Sequence, residues 1–241
     1  MKKYGFSGLE IAPTRWYPVA PYEHIQEAKQ ESLRLYKSYG LNISSIQSIW
    51  YGRTENMWKS YEERKVLLEY TKKAVDFAAE LKYSNLVFGG PKNRNKPEKT
   101  EDIEESTFFR VIGTYAEIYH VVIAIEANPS IYHTNYINRT TEAVELVKKI
   151  GCSGVKINLD LGTMIENQES IVDLEGYLEY VNHIHISEPN LVPIKRRVMH
   201  KELADMLCQN NYQGYVSIEM GSQSEMNRLD EIIAYVSEVF G

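Results

Sequence analysis

Seven repeats of a strand followed by a helix, forming one α/β domain around a parallel sheet, are what this sequence predicts, on three observations. Short apolar runs alternate with amphipathic segments from end to end. Most of the apolar runs are rich in Ile and Val on both faces, as strands covered on two sides are. The amphipathic segments repeat apolar residues at three- and four-residue intervals, the period of a helix. Such alternation either closes into a TIM-type (β/α) barrel or opens as a doubly wound sheet. No GxGxxG or GxxxxGK[ST] follows any strand, so the common nucleotide-binding forms of the open sheet lose support.

The strand-like runs are 6–12 (FSGLEIA), 42–50 (NISSIQSIW), 85–90 (NLVFGG), 121–127 (VVIAIEA), 154–161 (GVKINLDL), 183–187 (HIHIS) and 215–220 (YVSIEM). The clearest helical patterns cover 61–82, 139–150 and 225–240, and Thr140 or Thr141 is placed to cap the second. The polar stretch 90–102 reads as a functional loop after the third strand. Three segments share one pattern: KKYGFSGLEI (2–11), KSYGLNISSI (37–46) and KKIGCSGVKI (148–157). Each is a basic helix tail, a Gly able to stop the helix in the left-handed conformation, and a strand. The first opens the chain inside the end of a helix. A closed barrel of this type needs eight strands and eight helices. The expectation is therefore a single domain over 1–241 without its first βα unit. The runs 6–12 and 215–220 would then face a gap, which homo-oligomer contacts or local disorder would accommodate. Closure by seven strands from Met1 is the alternative.

Bulk properties narrow the partners. Of 241 residues, 43% are hydrophobic and 25% charged, as in ordinary globular proteins. The net charge of −6 disfavours a nucleic-acid surface, which needs a basic excess. The chain has two cysteines, no apolar leader in MKKYGFSGLEI, and no apolar run approaching ~18 residues. The reading is a cytoplasmic protein with reduced thiols and no membrane span.

The last four strands end in Glu126 (AIEAN), Asp160 (INLDLG), His185 (IHISEP) and Glu219 (SIEMG). In a parallel barrel that end of the strands carries the chemistry. A lone strand-end Glu is usually a surface residue, and a strand His is more often a satisfied core residue; four on successive strands carry the weight together. Three carboxylates so close would repel unless a cation joined them. Three oxygen donors and an imidazole suit one divalent metal, Mn2+ or Mg2+ first, with Zn2+ or Co2+ also fitting. His183 lies one pleat deeper on the same face as His185 and reads as an interior residue supporting it.

The spacings of 34, 25 and 34 residues between these four, with IEAN, INLDLG, HIHISEP and YVSIEM around them, resemble the xylose-isomerase-like TIM barrels of the sugar phosphate isomerase/epimerase group. SSIQSIWYG (44–52) and VFGGPKNR (87–94) add to the resemblance, which spans essentially the whole chain. It implies that Glu126, Asp160, His185 and Glu219 bind one metal, and that Glu126 and Glu219 also transfer protons. The expected activity is metal-dependent isomerisation or epimerisation of a sugar or sugar phosphate. A proton removed beside a carbonyl leaves an enediolate whose charge the metal stabilises, and two glutamates serve its two faces. A keto-inositol dehydratase uses the same enolisation, and a non-catalytic metabolite-binding barrel is the rival of another class.

Two departures bear on the substrate. Ketose 3-epimerases place a His three residues after the metal Asp and an Arg six after the metal His; here those positions are Thr163 and Leu191. The related endonucleases use further histidines on earlier strands, and FGGPKNR has none. Softer substrate-binding candidates are Glu10, Gln47 and Asn128 at the rim, for hydroxyls, and Lys92 and Arg94, for a phosphate or carboxylate, with Gly89 and Gly90 permitting close backbone approach. Trp16, Trp50 and Tyr132 are candidate pocket walls. Lys195, Arg196 and Arg197 with His200 could reach an anion, although such a run is usually solvated.

Overall fold

The computed structural model describes residues 1–100 and 104–241; the part of the 90–102 loop at 101 and 102 lies outside the described residues. Seven parallel strands, β1 (Gly8–Ile11), β2 (Asn42–Ile46), β3 (Asn85–Phe88), β4 (Val122–Glu126), β5 (Val155–Asp160), β6 (Val181–Ile186) and β7 (Tyr215–Ile218), pair in sequence order. The sheet curls into a nearly closed barrel. Around it run α1 (Pro13–Trp16), α2 (Ile25–Tyr39), α3 (Tyr61–Leu81), α4 (Glu105–Ile118), α5 (Thr140–Ile150), α6 (Leu161–Glu166), α7 (Val198–Gln209) and α8 (Met226–Phe240). The strand core is apolar on both faces, with Ile123, Ala124, Ile125, Leu159, Ile184 and Ile186 fully buried, as a barrel wrapped by helices requires.

The three glycine stops form as expected. Gly5, Gly40 and Gly151 end their helices at φ 79°, 69° and 60°, in the left-handed region that glycine enters without a Cβ clash. Lys2–Tyr4 is a single turn of 3-10 helix, closed by Gly5. Its Lys3 and Tyr4 side chains both reach Asp230 of α8, at 3.0 and 2.8 Å. The threonine cap is a correction. The N-cap of α5 is Arg139, without a side-chain cap, and the first-turn N–H of Thr140 lies 3.3 Å from the buried carboxylate of Glu169. A residue 29 positions ahead does the work assigned to a neighbour.

Among the described residues no ladder joins β1 to β7. Between them lies a cavity of about 830 Å3, bounded by Gly8 and Leu9 on one side, Tyr215 to Glu219 on the other and α8 behind. The Tyr215 ring lies against Gly8 across it: a Cβ on Gly8 would stand 2.8 Å from that ring. Register delivers the functional residues. Glu126 pairs with Asn158, Asp160 with His185, and His185 with Ser217. The register slips between Leu9 and Glu10 on β1 and between Ile157 and Asn158 on β5, irregularities of the kind that re-aim side chains beside sites. Among the described residues no helix is long and apolar enough to cross a membrane. Cys152 and Cys208 are both free.

Candidate metal centre

Parallel strands that run the same way present their carboxyl ends together, and the expected cluster assembles there. Glu126 and Asp160 are the last residues of β4 and β5, His185 is next to last in β6, and Glu219 follows β7. One donor atom from each of Glu126, Asp160, His185 and Glu219 lies within 4.8 Å of the others. His185 Nδ1 is 2.9 Å from Glu126 Oε1 and 3.1 Å from Glu219 Oε2, and the ring is fully buried. Asp160 caps α6, accepting the Thr163 N–H at 2.6 Å, and its other oxygen is hydrogen-bonded by Ser187.

The electrostatics of the cluster favour a cation. Burial, then the charges of Glu126 and Glu219, raise the Asp160 carboxyl to about 7. Burial works against charge on His185, yet the Glu10 and Glu219 carboxylates hold its pKa well above the ordinary imidazole range. His185 Nδ1 thus faces two carboxylates at once, Glu126 and Glu219. Three carboxylates and one imidazole, largely buried and converging, are a donor set that a divalent ion fits by charge and by ligand type.

Other residues fix these groups in place. Gln47 donates Nε2–H to Glu219 Oε1 at 3.0 Å. Asn158, which the sequence reading passed over, donates to Glu126 Oε1 at 2.7 Å and stands 3.1 Å from His185 Nδ1. It shares a strand face with Asp160, two residues on, and that alternation was the available signal. Gly89 matters for space: a Cβ there would lie 2.3 Å from Glu126 Oε2. Asn128 Nδ2 is 3.4 Å from Glu126 Oε2, a weak contact. The Tyr132 phenol is raised by its burial and, less, by the charges of Asp160, Glu219 and Glu126, and it accepts the Asn190 N–H at 2.9 Å, so its ring borders the site.

The remaining candidates make the following contacts. Glu10 faces inward to His183 and His185. Arg94 is fully buried, donates Nη1–H to the Glu126 carbonyl at 2.7 Å, and packs over Phe88; burial pulls its guanidinium down to about 10. It props the end of β4 through Nη1, while its buried Nε and Nη2 have no hydrogen-bond partner among the described residues. Lys92 is exposed, and its engaged group is the backbone carbonyl, which accepts from Asn56 at 3.2 Å. Trp50 is core, with Nε1–H donated to Thr71 at 2.7 Å, and Trp16 is half-buried, edge-on to Tyr17. Arg197 forks onto buried Glu188 at 2.7 and 2.5 Å, and buried His200 meets the Tyr235 hydroxyl at 2.9 Å, so this basic stretch is a structural clasp. Thr163 is buried and donates its hydroxyl to the Ala127 carbonyl at 2.9 Å, and Leu191 is 37% exposed.

A family model described as "Xylose isomerase-like TIM barrel" matches residues 1–238, and the chain belongs to that family. A curated relative, D-psicose 3-epimerase of Enterocloster bolteae, is 32% identical over 112 residues, which are 46% of this chain and 37% of that protein. The chain thus matches about a third of the length of that curated relative. Among solved structures, D-psicose 3-epimerase of Clostridium cellulolyticum H10 with D-tagatose superposes with a TM-score of 0.77 at 19% identity, covering 99% of this chain and 91% of that one. The apo 3-keto-D-glucoside 4-epimerase of E. coli gives 0.76 at 20% identity, covering 98% and 91%. At these identities the structural likeness is one of fold.

Proposed function

We propose that the protein is a metal-dependent isomerase or epimerase of a sugar or sugar phosphate, with Glu126 and Glu219 as its proton-transfer pair. The observation that carries this is the convergence of those two carboxylates, from β4 and β7, on one buried His185 nitrogen, with Asp160 between them. Glu126, Asp160, His185 and Glu219 would hold the ion, which would supply a fixed positive charge against the negative charge that develops when a carbon beside a carbonyl loses its proton. Glu126 and Glu219 approach from two strands, so one can take a proton and the other return it. Gln47 and Asn158 fix their oxygens, Gly89 leaves room for one, and Arg94 holds the strand end beneath it. The epimerase activities named for the similar proteins support the same class. With Thr163 and Leu191 where ketose 3-epimerases carry His and Arg, the substrate hydroxyls meet a different set of partners, and the sugar itself is to be found by screening.

The test is solvent-deuterium exchange into ketoses, ketose phosphates and keto-inositols by Mn2+-loaded protein. Wild type should label the carbon next to a carbonyl in at least one of them. Glu126→Gln and Glu219→Gln keep an oxygen donor without a base, and each should lower exchange by ~100-fold or more while leaving the thermal melt intact. Metal analysis should find one ion per chain, lost in His185→Ala. Near wild-type exchange in either Gln variant, or unchanged metal content in His185→Ala, would refute the assignment.

A further inference from the structure

Behind the four-residue cluster, on the interior side of His185, lies a carboxylate that the proton transfers do not use. Glu10 sits at the register slip of β1, and its side chain is 9% exposed. Its Oε1 is 2.9 Å from His183 Nε2 and 3.0 Å from His185 Nε2, and its Oε2 is 3.2 Å from His185 Nε2. The two rings stand nearly perpendicular, at 85°, with their Nε2 edges meeting on that one carboxylate. Ser217 Oγ of β7 is 2.9 Å from His183 Nε2.

We propose that Glu10 is the positioning residue of the metal centre. It accepts the Nε2–H of His185, which fixes the ring's orientation and leaves Nδ1 as the nitrogen that faces Glu126, Asp160 and Glu219. Through its shared oxygen it also ties His185 to His183. A ligating imidazole generally donates its second N–H in this way, and the acceptor carboxylate makes the ring a better donor. The inference rests on the metal-dependent reading above and assigns Glu10 to the ion's support, away from the substrate. The geometry argues against Glu10, His183 and His185 as a second ion site. Such an ion would share the His185 ring with the first, and a ring can serve two ions only as an imidazolate, with both nitrogens stripped of hydrogen.

The experiment is calorimetric titration of chelator-treated protein with Mn2+, alongside thermal melts of the metal-free forms. Glu10→Gln, which keeps the shape and loses the charge, should weaken Mn2+ binding by about 10- to 100-fold. Ser217→Ala, which removes a hydroxyl bonded to His183, should change it by less than roughly threefold. A purely structural Glu10 would lower the metal-free melt and leave the affinity of the folded protein alone. A second measurement needs no variant: in Zn2+-loaded, 15N-labelled wild type, His185 should show the ion on Nδ1 and a proton on Nε2. Unchanged Mn2+ affinity in Glu10→Gln, an ion on Nε2, or two ions per chain with one lost in Glu10→Gln would each overturn the proposal. Failure of wild type to take up any Mn2+ would refute the metal-dependent reading itself, a result distinct from loss of the Glu10 effect alone.

Discussion

At the scale of single residues, Asp160 makes the metal-free protein sensitive to pH in a direction opposite to the usual carboxylate. Its pKa rises from 3.8 to about 7 on folding. A group raised on folding contributes stability that is full below its unfolded pKa and is lost as pH climbs through its folded one. His185, also raised, acts in the same sense. Glu10 is lowered below 4.5, because the His185 charge and the two imidazole hydrogen bonds outweigh its burial; its contribution is lost only as pH falls beneath that value. Metal-free protein should therefore melt at progressively lower temperature from about pH 5 to pH 7, within the span over which Asp160 rises, from 3.8 to about 7. Asp160→Asn should flatten that slope. Mn2+ should reverse it, since the ion competes with protons for these ligands. Scanning calorimetry at several pH values decides this, and a metal-free melt that rises across the window, or one with the same slope in Asp160→Asn, would contradict it.

At the scale of elements, what could be read in advance was what local chemistry dictates. The Gly5, Gly40 and Gly151 stops follow basic helix tails, and each has the left-handed φ its place in the pattern requires. Glu126, Asp160, His185 and Glu219 were legible because parallel strands end at one rim, so four strand ends far apart in sequence fall together. Partners set by closure of the barrel were not legible. Glu10 is 173 residues from His183, and no periodicity relates them. Glu169 displaced the threonine cap for the same reason, and Arg94 reaches the Glu126 carbonyl, 32 residues on, because its loop folds under β4. Close approach of α4 to β5 is another such fact. A Cβ on Gly154 would lie 2.0 Å from the Gly113 carbonyl oxygen, and one on Gly113 would lie 2.4 Å from Val155. Backbone meets backbone there, and neither element can yield alone. Gly154→Ala should cost about 1–3 kcal/mol, the usual penalty of overpacking, measured by urea unfolding. A loss below ~0.5 kcal/mol would mean that α4 is not seated as tightly as the contact implies.

At the scale of the whole molecule, the gap between β1 and β7 divides the barrel into a firm wall and a soft seam. On the firm side β4 and β5 pair along four residues each way, and Ile123, Ala124, Ile125 and Leu159 have no exposed surface. On the seam, Tyr215 is 38% exposed and the next three residues of β7 are only partly buried. What crosses the seam is side chains: Glu10 to His183 and His185, Gln47 to Glu219, and the Lys3 and Tyr4 contacts to Asp230. Backbone edges without ladder partners open with little free energy, whereas the interior of a sheet opens only with global unfolding. Amide hydrogens of β1 and β7 should therefore exchange at least roughly tenfold faster than those of β4 and β5 in the metal-free protein. Two of the crossing contacts end on His185 and Glu219, so an ion bound there would draw the seam's side chains to one centre. Adding Mn2+ should slow exchange in β1 and β7 selectively and leave β4 and β5 at their global limit. Hydrogen exchange read by mass spectrometry would show it, and equal protection of all four strands without metal would mean that the two edges are joined more firmly than side chains alone can join them.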